Sequence, residues 1–233
     1  MDEERFIKEL EILGISINDK QLWQLNRYYE LLCEWNEKIN LTRIIEKNNV
    51  YLKHFYDSLT LSKAIDLHQE MSLCDVGTGA GFPGIVLKIV FPTLSITLID
   101  SLLKRINFLN IVINELKLDK INTVHARGED YARMNREKFD IVTSRAVANL
   151  SLLSEISIPM LKEKGFFIPM KANIDSELLE SKDILNKLSS EVIDVIEFNL
   201  PIENSHRTII KIQKMAKTNV KYPRSFDKMK KKR

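Results

Sequence analysis

The side chains and backbone best suited to chemistry cluster at 75–84. They read Asp75-Val76-Gly77-Thr78-Gly79-Ala80-Gly81-Phe82-Pro83-Gly84. Four of the chain's seven glycines fall in this run, and glycine admits positive φ and close approach of the backbone to a ligand. An apolar segment of strand length, 72–76, precedes the run, and one of helix length, 84–90, follows it. A glycine-rich turn at the carboxyl end of a strand is where open α/β sheets hold nucleotides. Asp100 closes the next strand-like segment, 23 residues after Gly77. A carboxylate there can accept from both hydroxyls of an adenosine ribose. Four glycines together with a correctly spaced acid favour a ligand site over a ligand-free turn.

Residues 79–84 match G-x-G-x-x-G, a dinucleotide fingerprint, which by itself is a weak signal. The turn starts earlier, however, at Gly77, and reads D-x-G-x-G-x-G. That is the usual loop of S-adenosylmethionine (SAM) methyltransferases, with Gly77 and Gly79 as its cofactor-facing glycines. Pro83 is suited to opening the following helix. Arg127-Gly128-Glu129-Asp130 follows the third strand-like segment. In a methyltransferase sheet this loop flanks the adenine, with Gly128 giving room and Glu129 facing polar edges.

Ser144-Arg145-Ala146-Val147-Ala148 follows the fourth strand-like segment, where such a fold faces the transferred methyl. Methylation of exocyclic amines usually goes with D/N-P-P-Y/F at this place, which the chain lacks. Attack on cytosine C5 needs a thiol there, and the two cysteines, Cys33 and Cys74, lie elsewhere. A ring nitrogen such as guanine N7 fits this absence. Its lone pair attacks the methyl directly, so alignment and charge placement carry the reaction and no general base is needed. No catalytic side chain is therefore assigned. Arg145 is expected to position cofactor or RNA, or else to pair with Asp140 or Glu155.

The elements that must position these residues change character along the chain. Up to residue 68 the pattern is helical. Phe6, Leu10 and Leu13 form one stripe ending at Gly14, and Asn18 is placed to cap a second helix carrying Leu22, Leu25, Tyr29, Leu32 and Ile39 inward. Residues 47–65 read as a third helix, with Val50, Leu52, Phe55, Leu59 and Leu61 apolar. From residue 72 strands and helices alternate. Strands are expected at 72–76, 94–99, 122–126, 139–144, 165–169, 192–198 and 208–212. Helices are expected at 84–90, 103–116 (Leu103, Ile106, Leu109, Ile113 and Leu116 inward) and 150–161. This order implies a mostly parallel, Rossmann-like α/β sheet. The short connection 199–207 implies that the last two strands pair antiparallel at one edge. The expected divisions are a helical cap at 1–68, a SAM-binding domain at 69–215 and a basic tail at 216–233.

With 233 residues and 29% charged side chains the chain has globular composition. Two cysteines exclude a disulfide scaffold, and the four histidines do not fall at zinc-protease spacing, so no metal is expected. The acidic N-terminus does not read as a signal peptide, and no apolar run reaches membrane-spanning length, so a cytoplasmic protein is expected. Residues 211–233 carry ten Lys/Arg against one acid, +9, which leaves −6 for the rest of the +3 chain. A cationic tail on an acidic body fits either a polyanionic partner or a merely solvated tail.

Taken together, several motifs resemble the glucose-inhibited division protein B family, the bacterial small-subunit ribosomal RNA guanine-N7 methyltransferases. They are Trp35-Asn36-x3-Asn40-Leu41-Thr42, His54-x2-Asp57-Ser58, the loop at 75–84, and Asp100-Ser101-x2-Lys104-Arg105. Arg127 to Glu129, Ser144-Arg145-Ala146 and His206-Arg207 complete the set. The resemblance spans residues 10–224. It implies a class I methyltransferase fold with an N-terminal helical cap, SAM as donor, and a guanine of the small-subunit RNA as acceptor. It implies cofactor contacts at Gly77, Phe82, Gly128, Glu129 and Arg145, to which the ribose argument adds Asp100. Arg145 and Lys171 are the candidate RNA contacts, and a monomer is expected. Phe82 stands where many members have an aliphatic residue, and 225–233 lacks the usual ending. His54 and Asp57, three apart on one helical face, read as a helix-to-domain contact in preference to a catalytic dyad. Trp35 reads as core, with Asn36 and Asn40 satisfying backbone at the helix end. The alternatives are an NAD(P)-dependent oxidoreductase, a non-catalytic RNA-binding module, and a methyltransferase of this fold with another substrate.

Overall fold

The computed structural model describes residues 1–145, 148–174 and 176–230. Helix α1 (Glu3–Ile12) is capped by Asp2, whose side chain accepts the Arg5 N–H at 2.9 Å. Helix α2 (Asp19–Ile39) starts in a capping box in which Asn18 and Gln21 each accept the other's backbone N–H. The Gln21 amide also reaches the carbonyls of Ile89 and Val90, both at 3.0 Å, and so closes the end of another helix. The buried stripe of α2 is Leu25, Tyr28, Leu31 and Leu32. Tyr28 takes the inward place expected of Tyr29, and Leu22, Tyr29 and Ile39 are half-buried. Both readings obey i+3/i+4 spacing, so periodicity alone could not separate them. Residues 47–63 are helical throughout but mix α, π and 3₁₀ turns, and all five expected apolar positions there are buried.

Seven strands follow: β1 (Ser72–Val76), β2 (Ser95–Asp100), β3 (Ile121–His125), β4 (Phe139–Arg145), β5 (Leu161–Lys171), β6 (Ser190–Asn199) and β7 (His206–Lys214). Their order in the sheet is β3-β2-β1-β4-β5-β7-β6. β1 to β5 run parallel, and β7 lies antiparallel between β5 and β6. The parallel sheet and the antiparallel hairpin at one edge are as expected. Helices Gly84–Val90, Leu103–Glu115, Gly128–Met134 and Leu150–Ser157 make the connections. Leu161 opens β5 and does not close the preceding helix. Helix Glu177–Lys187 went unread in the sequence, since its exposed, charge-rich face carries little apolar pattern. Leu103, expected inward, is 53% exposed at the first position of its helix, while Ile106, Leu109 and Leu116 reach the core.

Consecutive strand residues face opposite sides. Ile141, Ile168 and Ile209 enter one core cluster, and Val142, Phe167 and Ile210 the other. The first cluster also takes in Phe6, Leu10, Tyr28 and Tyr51, so the N-terminal helices share a core with one face of the sheet. Beyond β7 the chain runs back over the second face. Arg136 donates to the carbonyls of Thr218, at 2.6 Å, and Tyr222, and Tyr222 is buried in the second core. The basic tail is thus packed as far as Arg224 and continues into helix Phe226–Lys230. Residues 231–233 of that tail lie outside the described residues, as does Ala146 of the Ser144-Arg145-Ala146 motif.

Candidate active site

The chain runs from β1 outward to β3 and then returns to β4 on the other side of β1. Adjacent connections therefore diverge at the carboxyl ends of β1 and β4, which opens a crevice. The register pairs Val76 with Ile99, so the loop after β1 passes beside the end of β2. Gly77 and Thr78 both donate backbone N–H to the Ile99 carbonyl, at 2.9 and 3.0 Å. Gly77, Gly79 and Gly81 take φ of +71°, +62° and +102°, conformations that side chains disfavour.

Two acids hold this loop. Asp75 is wholly buried beneath it, and its Oδ2 accepts from the Thr78 hydroxyl (2.7 Å) and the Gly84 N–H (2.9 Å). Burial pushes its carboxyl up to about 6. Asp100 holds it from the side: Oδ2 accepts from the Gly79 N–H (3.0 Å) and Arg105 (3.1 Å), and Oδ1 from the Leu102 N–H (2.9 Å). A carboxylate has about four acceptor positions. Three are used here, so a ribose finds one open, and accepting both hydroxyls requires one of the present donors to yield.

The loop, the ends of β2 and β4 and the N-terminal helices enclose a cavity of about 640 Å³. Gly77, Gly79, Phe82, Asp100, Gly128, Glu129 and Arg145 all line it. At Gly79 a Cβ would meet nothing within 4 Å, so that backbone is bare to the cavity. Gly128 is the first residue of a helix, not part of a loop. A Cβ there would come within 3.0 Å of Ile156 and 3.2 Å of Val76, so this glycine lets the helix sit close against the sheet. Glu129, in the first turn of the same helix, complements its positive end.

The opposite wall belongs to the N-terminal helices. Arg145, at the end of β4, pairs with Asp57 (3.3 Å) and donates to the Lys53 carbonyl (3.1 Å) and to His54 Nδ1 (3.2 Å). Asp57 also receives Arg207 at 3.0 Å. Arg145 thus pairs with Asp57, neither with Asp140, which holds Ser72 and Lys162, nor with Glu155, which holds Arg224. His54 and Asp57 meet through Arg145 and tie helix to sheet, as the spacing suggested. The His54 ring lies flat on Phe82, 4.4 Å between centroids, and the Arg145 guanidinium sits 5.2 Å from the Phe82 centroid. Burial and Arg145 together bring the His54 imidazole down to about 3. The Tyr28 hydroxyl donates to the Ala80 carbonyl and so bolts α2 to the loop. Trp35 packs against Phe108, and Asn36 accepts the Thr42 N–H at 2.8 Å.

Lys171 stands apart from this cavity. Its amine is held by the Ala148 carbonyl (2.8 Å) and Glu177 (2.6 Å), and its side chain is 11% exposed. It is a clamp between β5 and its neighbours, not an exposed phosphate ligand. Tyr28, Thr42, Arg207 and Phe226 escaped assignment as site residues, although Thr42 and Arg207 stood in the motifs. Thr42 and Phe226 line the cavity. Among the described residues no three His, Cys, Asp or Glu side chains gather as a metal site, and no helix is long and apolar enough to cross a membrane.

A strand order with β7 inserted antiparallel beside β5, and a glycine loop at the point of reversal, defines the class I methyltransferase fold. Solved structures share it. A SAM-dependent methyltransferase from Aquifex aeolicus aligns with TM-score 0.54 at 18% identity, covering 73% of this chain and 94% of that one. TrmN from Thermus thermophilus aligns with TM-score 0.54 at 13% identity, covering 68% and 48%. Closer relatives narrow the class. The ribosomal RNA small subunit methyltransferase G of Staphylococcus carnosus (strain TM300) is 49% identical over 228 residues, 96% of this chain and 95% of that protein. Its counterpart in Geobacillus sp. (strain WCH70) is 50% identical over 227 residues, with the same coverage. Residues 21–206 match the GidB family, rRNA small subunit methyltransferase G, and the chain belongs to that family. The oxidoreductase reading ends here.

Proposed function

We propose that this chain is a SAM-dependent methyltransferase acting on N7 of a guanine in small-subunit ribosomal RNA. When bound, SAM supplies a methyl on a sulfonium, which passes to the N7 lone pair as the sulfur–carbon bond breaks. Asp100 offers the ribose its remaining acceptor position, the bare backbone at Gly79 gives close approach, and Glu129 faces the adenine end. Gly77, Phe82, Gly128 and Arg145 complete the donor contacts. In this reading 1–68 is a cap over the site, 69–215 the methyltransferase domain and 216–233 the basic tail.

One observation carries the choice of acceptor. The imidazole of the cap wall has both nitrogens engaged, Nδ1 by Arg145 and Nε2 by Thr42 (3.0 Å), and is held neutral. It has no free nitrogen with which to take a proton. Cys74 is buried inside β1 with its thiol pushed well up, so it offers no nucleophile. An acceptor that attacks with its own lone pair and loses no proton suits such a wall. Asp57, shared with Arg207, offsets part of the Arg145 charge beside the base that becomes cationic. Lys217, Lys221 and Lys228, all exposed, are tail cations available to RNA phosphate, and binding through them falls steeply with salt.

The test is transfer of labelled methyl from SAM to small-subunit RNA lacking the modification, presented naked and as the ribosomal subunit, with the product located by N7-sensitive cleavage. Label at one guanine N7 is expected. Demonstrable SAM binding with no label in either form would overturn the RNA target.

A further inference from the structure

Thr42 lies in the Asn-Leu-Thr motif after α2, and its hydroxyl is held in one donor direction by neighbours that the reaction itself does not consume. A guanidinium only donates and stays charged, so the 3.2 Å contact from Arg145 Nη2 requires an unprotonated His54 Nδ1. The Lys53 carbonyl beside this edge of the ring receives Arg145 Nη1 at 3.1 Å and keeps a second lone pair, so it is the guanidinium contact that requires a bare Nδ1. A neutral imidazole with a bare Nδ1 carries its hydrogen on Nε2, and the low position of the imidazole, about 3, keeps it neutral. The 3.0 Å contact between Nε2 and Thr42 Oγ1 therefore runs from ring to hydroxyl. The Ile44 N–H donates to the same oxygen at 3.1 Å. Both lone pairs of Oγ1 are then filled, and what the hydroxyl has left is its own proton. Thr42 lines the same cavity as Asp100 and Glu129.

We propose that Thr42 selects the base, its hydroxyl donating to O6 of the guanine whose N7 faces the methyl. This rests on the guanine-N7 reading above and deepens it. Guanine presents N7 and O6 as two adjacent acceptors on one edge. A donor on O6 sets N7 beside it. Adenine presents an amino donor where guanine has O6. A hydroxyl whose lone pairs are occupied cannot accept from that amine, so the same group that welcomes guanine rejects adenine. Arg145, His54 and Thr42 form a relay of fixed hydrogen bonds that converts a cation buried in the protein into a donor-only hydroxyl at the substrate wall.

The experiment uses the full chain, Thr42→Val and Thr42→Ser. Its substrates are the small-subunit RNA with guanine or 2-aminopurine, which lacks O6 and keeps N7, at the methylated position. SAM affinity is measured alongside by equilibrium titration. Thr42→Val is expected to slow transfer to guanine roughly tenfold, the scale of one lost hydrogen bond in a desolvated site, with SAM affinity unchanged. Thr42→Ser is expected to retain transfer. 2-Aminopurine is expected to slow the unaltered protein by a similar factor and to add nothing in Thr42→Val. Ring-nitrogen NMR of the unaltered protein is expected to show His54 protonated on Nε2. Unchanged transfer by Thr42→Val, effects of the two changes that multiply, a loss of SAM affinity or a His54 protonated on Nδ1 would each overturn the assignment. Absence of any N7 label with the unaltered protein would overturn the parent reading along with it.

Discussion

The two walls of the cavity are built in opposite ways. The wall toward Asp100 is made of short loops: Asp75 grips Thr78 and Gly84, and Asp100 grips Leu102, Arg105 and Gly79. None of these links reaches farther than 21 residues along the chain. The cap wall is made of distant partners. Tyr28 reaches Ala80 across 52 residues, Arg145 reaches His54 across 91, and Arg207 reaches Asp57 across 150. The first wall can form as soon as β1 and β2 pair. The second exists only when the helical segment, β4 and β7 are all in place, so it reports on tertiary packing. The walls also meet at different costs to a side chain, since Gly79 faces open space while Gly81 is pressed between Tyr28, Ile85 and Leu109.

The largest expected effect breaks the junction between the walls. A Cβ at Gly81 would lie 2.6 Å from Ile85, 2.7 Å from the Tyr28 hydroxyl and 2.9 Å from Leu109, at a φ of +102°. Gly81→Ala should destabilise the fold by about 3–5 kcal/mol, overpacking and backbone strain together, as read by denaturant unfolding. Next is Arg145→Gln. It removes the cation that Asp57 and His54 share in the cap wall and should cost about 3 kcal/mol, at the lower end for a broken buried pair because Arg207 still serves Asp57. An unfolding midpoint equal to that of the unaltered protein would contradict the cap wall as drawn.

A third change separates charge from packing. The His54 imidazole sits at about 3 in the fold against about 6.5 when unfolded. Below about 6.5 the unfolded chain takes up a proton that the folded one refuses, so the stability contributed by His54 is present at neutral pH and declines as pH falls toward 3. The advantage of the unaltered protein over His54→Gln should therefore shrink by about 2 kcal/mol between pH 7.5 and 5. Asp75, with its carboxyl near 6, titrates in both proteins and drops out of the difference. The smallest effect is Gly79→Ala, about 1 kcal/mol of left-handed strain with no clash. Its methyl enters the cavity, so SAM affinity should fall more than stability does.

The contrast between the walls also decides what could be read from residues alone. Local chemistry is legible: Gly77, Gly79 and Asp100 stood out by type and spacing, Gly128 and Glu129 through the family resemblance, and all five line the cavity. So did the β-strand sequence, because alternation and length mark each element. The partner of Arg145 was not legible, since Asp57 lies 88 residues away and nothing in either segment names the other. Lys171 illustrates the same limit. A lysine after the fifth strand reads as a free cation, and the Glu177 that neutralises it sits on a sheet-domain helix that carried no recognisable pattern. Tyr28 and Tyr29 could not be told apart by period, although only Tyr28 reaches the loop.

We assign the ribose and adenine of the methyl donor to the Asp100 wall and the base to Thr42 on the cap wall, a division of labour. The direct test is equilibrium titration of SAM into the unaltered protein, Asp100→Ala and Thr42→Val. Asp100→Ala should weaken binding by about 1.5–3 kcal/mol, the scale of a hydrogen bond to a charged acceptor, while Thr42→Val leaves it unchanged. Equal losses in the two variants, or full affinity in Asp100→Ala, would contradict it.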